Sequence, residues 1–118
     1  MNLMNETVRS LEKNGKTKDD VLWCGSEDFG SFLWEDFVEL ADTEYDAGFG
    51  GQEVAKDLLI VGADFWLERW EYDGSEGWEY KTFPKMKSMN TPTAITTHQK
   101  EDCWSWSSLS EMNGTIKI

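Results

Sequence analysis

The chain has 118 residues, 39% hydrophobic and 14% aromatic with seven tryptophans, enough to bury a core without disulfide or metal staples and too aromatic for a disordered acidic tail. Its formal net charge of −12 disfavours nucleic acid and anionic membrane as partners. No basic stretch precedes an apolar run, and no window approaches the ~18 apolar residues of a membrane span, so the expectation is a soluble, untargeted chain.

The charge is concentrated in the middle. Residues 19–80 hold eighteen acidic side chains against only Lys56 and Arg69, while both flanks are weakly basic. Such a block repels polyanions and steers cationic surfaces inward, although acidity also serves plain solubility. Cys24 and Cys103 form no C-x-x-C pair, so neither a zinc site nor a redox motif is implied, and a reducing cytoplasm is the simpler setting.

In chain order, residues 1–18 read as a short, polar, peripheral helix over 5–13, with Asn5 as N-cap and Asn14-Gly15 as stop, followed by a charged connector. An acidic α+β core follows over 19–83. Val21 to Cys24 suits a buried strand closed by Gly25. Residues 31–46 read as the main helix, with Ser31 as N-cap and Leu33, Trp34, Phe37, Val38, Leu40, Ala41 and Tyr45 on one apolar face. Strands are expected at 58–61, 65–72 and 78–83, with a turn at Gly62-Ala63-Asp64 and a hairpin loop over 73–77. Neither face of 65–72 is cleanly apolar, which leaves open the face turned to the core. Residues 84–118 read as a mobile linker, 84–100, and a C-terminal hairpin pairing 104–109 with 115–118. Trp104 and Trp106 would then cover the main sheet or a second copy of the chain. The expected fold class is α+β: one amphipathic helix on a three- to four-stranded antiparallel sheet, within a single domain overall.

Along the expected main helix Glu35, Glu39, Asp42 and Asp46 fall at i, i+4, i+7 and i+11, a row of carboxylates spaced about 5–6 Å along the axis. That spacing is comparable to phosphates on one nucleic-acid strand, so the row would suit a groove built for nucleic acid. Glu44, and Glu71, Asp73 and Glu76 at the hairpin loop, would assist it. The ordinary alternative is a solvated helix back.

Asp42, Glu44, Asp46 and Glu53 match positions one, three, five and twelve of a calcium loop, but position six is Ala47 where glycine is wanted. His98 with Glu101, Asp102 and Cys103 makes a loose ligand cluster without metal-site spacing. No serine or cysteine stands in a nucleophile motif; no catalytic residue and no cofactor are expected. Trp66, Trp70, Tyr72, Trp78 and Tyr80 would form a stacking platform for sugar or, more simply, core and cross-strand pairs.

The runs Trp34-Glu35-Asp36-Phe37, 44–50 (EYDAGFG) and 71–79 (EYDGSEGWE) resemble small acidic proteins encoded by bacteriophages. The resemblance covers about 19–84 and carries over no functional residue. It implies a class of compact accessory proteins that includes anti-CRISPR inhibitors, which block nucleic-acid grooves of defence nucleases. The resulting expectation is a non-enzymatic inhibitor or adaptor in the host cytoplasm, with a basic nucleic-acid-binding protein such as a bacterial defence nuclease as partner. A calcium module, a carbohydrate binder and a structural phage component are the competing readings.

Overall fold

The computed structural model describes residues 1–48, 50–100 and 104–114. Two compact units emerge, Met1–Pro84 and Lys85–Ile118. The first contains, in order, helix α1 (Leu3–Lys13), strands β1 (Val21–Ser26) and β2 (Gly30–Phe32), helix α2 (Trp34–Ala41), and strands β3 (Leu59–Gly62), β4 (Phe65–Tyr72) and β5 (Ser75–Thr82). The fold is α+β, as expected, with a second helix and a wider sheet. All five strands are antiparallel in the order β2-β1-β3-β4-β5.

The helices cover one face of the sheet. Phe65 and Leu67 alternate onto that inner face beside Ile60 and Cys24, and all four are fully buried against Leu3, Leu11, Phe37, Ala41 and Tyr45. Strand periodicity then turns Trp66, Glu68, Trp70 and Tyr72 to the opposite, outer face. Phe65 stacks on Tyr80 with ring centroids 5.4 Å apart. Burial, followed by the Glu35 carboxylate, pushes the Cys24 thiol up to about 12.

Several expectations need correction. Helix α1 begins earlier, with Asn2 rather than Asn5 as N-cap: the Asn2 side chain accepts the Asn5 backbone N–H at 3.0 Å. It is also a core element, because Leu3, Thr7 and Leu11 form a buried stripe. Helix α2 spans only eight residues. Ser31 pairs with Gly25 in the β1–β2 hairpin, so the helix starts after Leu33 instead. At its other end, successive acids with no basic residue in the last turn oppose the macrodipole. The chain there pairs with the N-terminus: Leu3 N–H donates to Thr43 O, Tyr45 N–H donates to Met1 O, and Asn2 and Glu44 form an isolated bridge. Leu33 and Leu40, assigned to the apolar face, are exposed.

The β4–β5 loop is two residues, Asp73-Gly74, rather than 73–77. Both take positive φ, +50° and +87°, the pattern of a tight primed turn whose twist matches the flanking strands. Glu76 and Gly77 therefore belong to β5.

In the second unit a 3-10 turn (Thr97–Gln99) and a short helix, α3 (Leu109–Met112), replace the expected linker and the first strand of the hairpin. Asn113 ties the segment 93–94 to α3. Its Oδ1 accepts the Thr93 and Ala94 backbone N–H groups, and its Nδ2 donates to Ala94 O and Leu109 O. Ala94 and Met112 are buried within this unit. The other half of the expected hairpin, 115–118, lies outside the described residues.

Candidate functional site

The expected carboxylate row depended on a helix reaching Asp46, and α2 ends at Ala41. Glu35 and Glu39 remain as an exposed i, i+4 pair on α2. Asp42 is the C-cap residue and accepts the Asn2 side-chain amide at 3.1 Å. Glu44 lies 3.5 Å from the N-terminal ammonium. Asp46 sits in the following loop, where its Oδ1 accepts the Gly48 N–H at 3.0 Å. The four-carboxylate row is thus reduced to its first two members.

The hairpin carboxylates divide as well. Asp73 is exposed at the turn, and exposed Glu71 accepts the Gln52 side-chain amide at 3.2 Å. Glu76, assigned to the partner surface, is buried and carries a different task.

Glu76 belongs to a buried network centred on Arg69, whose side chain is 4% exposed. Alternation puts Arg69 on the inner face two residues beyond Leu67, opposite Trp78 on β5. There Nη2 donates to Glu76 Oε1 at 2.9 Å and to the Tyr45 hydroxyl at 3.1 Å, while Nη1 lies 3.5 Å from Glu6 Oε1. The guanidinium lies between two rings, 4.6 Å from the Trp78 centroid and 5.6 Å from that of Tyr45. The Tyr45 hydroxyl donates to Glu6, and the Trp78 indole N–H to Thr7. Helix α1, the 43–54 loop and the β4–β5 hairpin are thereby held by one cation.

Glu76 also accepts the backbone N–H groups of Glu53 and Val54 at 2.8 and 3.3 Å. Burial works against its charge, but those N–H groups and Arg69 outweigh it and hold the carboxyl below its usual range. Burial likewise opposes the Arg69 charge and is outweighed by Tyr45 and Glu76, so its pKa is raised. For Tyr45, burial and then the hydrogen bond to Glu6 push the phenol up to about 12. A carboxylate so saturated and enclosed is a structural anion, closed to a partner. The sequence carried one signal for it: Arg69 is one of only two basic residues in the acidic block and stands inside a strand, where an inward guanidinium needs an acid.

The proposed calcium ligands are not gathered. Asp42, Glu44 and Asp46 have the separate partners given above, and Glu53 accepts the Asp46 N–H through Oε2. Among the described residues no group of three or more His, Cys, Asp or Glu side chains is arranged to hold a metal. His98 sits exposed in the 3-10 turn; Glu101, Asp102 and Cys103 lie outside the described residues.

The tryptophans serve two roles. Trp78 and Tyr80 pack against the core, whereas Trp66, Trp70 and Tyr72 lie on the outer face. There the Trp66 indole N–H donates to Glu68 at 2.7 Å. Glu68 stands directly across from Glu79. Among the described residues no helix is long and apolar enough to cross a membrane. Comparison with protein-family models, curated proteins and solved structures finds no match to the chain.

Proposed function

We propose that the chain is an acidic inhibitor or adaptor that acts by occupying the basic groove of a nucleic-acid-binding protein. The observation that supports this reading is an unbalanced surface: Glu35, Glu39, Asp42, Asp46, Glu71 and Asp73 are all exposed, and none forms an ion pair among the described residues. Arg69, one of the two cations in the acidic block, is spent internally on Glu6 and Glu76. Glu35 and Glu39 are separated by about 6 Å along the helix, close to the phosphate spacing of one strand. The bacteriophage resemblance makes a bacterial defence nuclease in the host cytoplasm the natural partner.

The test immobilises the full chain and challenges it with bacterial nucleic-acid-binding proteins at about 50 mM and about 500 mM salt. Capture at low salt, steep loss at high salt and displacement by duplex DNA are expected. The triple variant Glu35→Gln, Glu39→Gln, Asp42→Asn should weaken capture. Retention indifferent to salt, to DNA and to these substitutions would remove the proposal.

A further inference from the structure

The outer face of the β4–β5 hairpin carries no helix of its own unit, because α1 and α2 both pack on the Phe65 and Leu67 side. Large apolar rings remain there in solvent: Trp70 is 40% exposed, Tyr72 79% and Phe83, which packs against Trp66, 62%. Trp70 lies over Gly77 of β5, where an added Cβ would come within 3.0 Å of the indole. Exposed rings grouped on one sheet face are a feature of binding surfaces.

The same face holds an electrostatic conflict. Glu68 and Glu79 are direct cross-strand neighbours on β4 and β5, an arrangement that destabilises a sheet. Lys81 relieves it weakly, at 3.7 Å from Glu79 with both side chains about half exposed. Two carboxylates beside an indole face match the chemistry of guanidinium, which takes charge-assisted hydrogen bonds and stacks on rings.

β5 is also the last strand of the sheet. Tyr72 and Ser75 flank the two-residue turn, so they and every second pair beyond exchange ladder hydrogen bonds. Trp78, Tyr80 and Thr82 therefore aim their backbone N–H and C=O groups away from β4. At the corresponding earlier position the Glu76 N–H is already taken by Ala47 O, at 3.0 Å. Among the described residues no other backbone group takes up those of 78–82, a stretch long enough for an added strand.

We infer that this face and edge dock an extended, arginine-bearing segment of a partner protein, added beside β5 with an arginine reaching over the strand to Glu79, Glu68 and Trp70. Charge complementarity selects this occupant. A second copy would join two chains of net charge −12; a neutral sugar would leave the repulsion between Glu68 and Glu79 relieved only by Lys81. The surface is distinct from Glu35 and Glu39, which are carried by the helical layer, and so goes beyond the function proposed above.

The probe is a short fluorescein-labelled peptide with arginine at alternate positions, titrated into the full chain and read by anisotropy. Binding is expected for the arginine peptide but not for its glutamine counterpart, with a marked loss when alternate backbone nitrogens are methylated. Glu68→Gln with Glu79→Gln should weaken it by about tenfold or more, and Trp70→Leu, which keeps apolar cover, by about threefold or more. Removing the facing charges relieves repulsion, so the Glu68 and Glu79 double variant should melt no lower than the parent. The inference is overturned if these variants, folded by circular dichroism, bind the arginine peptide as the parent does. It is equally overturned if sedimentation shows the chain dimerising through this face with the peptide excluded. Glu35→Gln with Glu39→Gln serves as the discriminating control. Peptide binding lost there and kept in the Glu68 and Glu79 variant sinks this inference alone, whereas salt-independent capture of nucleic-acid-binding proteins sinks only the function proposed above.

Discussion

Replacing Arg69 by methionine leaves Glu76 enclosed with two backbone N–H groups and no cation. A buried ion pair broken on one side typically costs about 3–5 kcal/mol, and urea unfolding of Arg69→Met is expected to show a loss of that size. Adding Glu76→Gln should recover part of it, because the glutamine carbonyl still accepts one of the two N–H groups; a double variant no better than Arg69→Met would contradict the network. The pH response follows from the same atoms. With the folded Glu76 carboxyl held below its ordinary 4.5, its contribution is present above that value and is lost as pH falls through the folded one. The stability gap between parent and Glu76→Gln should therefore close on acidification. Tyr45 runs the other way: its phenol is raised from 10 to about 12, so its contribution is full below pH 10 and disappears as pH rises through about 12. Alkaline melts of Tyr45→Phe should lack that decline.

Among the elements, the β3–β4 turn and the whole of β4 were legible in the sequence, because glycine and aspartate mark the turn and a long run of aromatic and apolar residues marks the strand. Helix α2 was legible only in part. Acids at three- and four-residue spacing continue a helical pattern past Ala41, yet the segment instead pairs with residues 1–3, a contact some forty residues distant that periodicity cannot register. The loop at 73–77 was overestimated because Gly77 resembles a turn residue, whereas it is a strand position kept bare beneath Trp70. The exposed acids were readable as a block, but not their division between solvent and Arg69. Two substitutions test element boundaries. Asn2→Ala removes the α1 cap and should cost about 1 kcal/mol by denaturant titration. Gly25→Ala places a methyl 2.0 Å from Gly30 O at a φ of +142°, and a loss of about 3 kcal/mol is expected; a melt unchanged from the parent would refute the hairpin geometry.

At the scale of the molecule, a net charge of −12 makes self-repulsion a standing cost of the folded state. The Debye length shrinks from about 10 Å at 0.1 M salt to about 3 Å at 1 M. The melting temperature should therefore rise with sodium chloride, opposite to a fold dependent on its surface ion pairs. Asn113→Ala should act locally, raising amide exchange at 93–95 while leaving protection in Met1–Pro84 unchanged. Cys24 supplies an observer of the largest fluctuations. Its side chain is wholly enclosed in the core beneath the helices and resists ionisation near neutrality, so alkylating reagents reach it only after β1 parts from its neighbours. In a Cys103→Ser background, the rate of thiol labelling becomes a stopwatch for the opening of this fold, and any ligand that slows the stopwatch declares itself a binder without a prior guess at its identity.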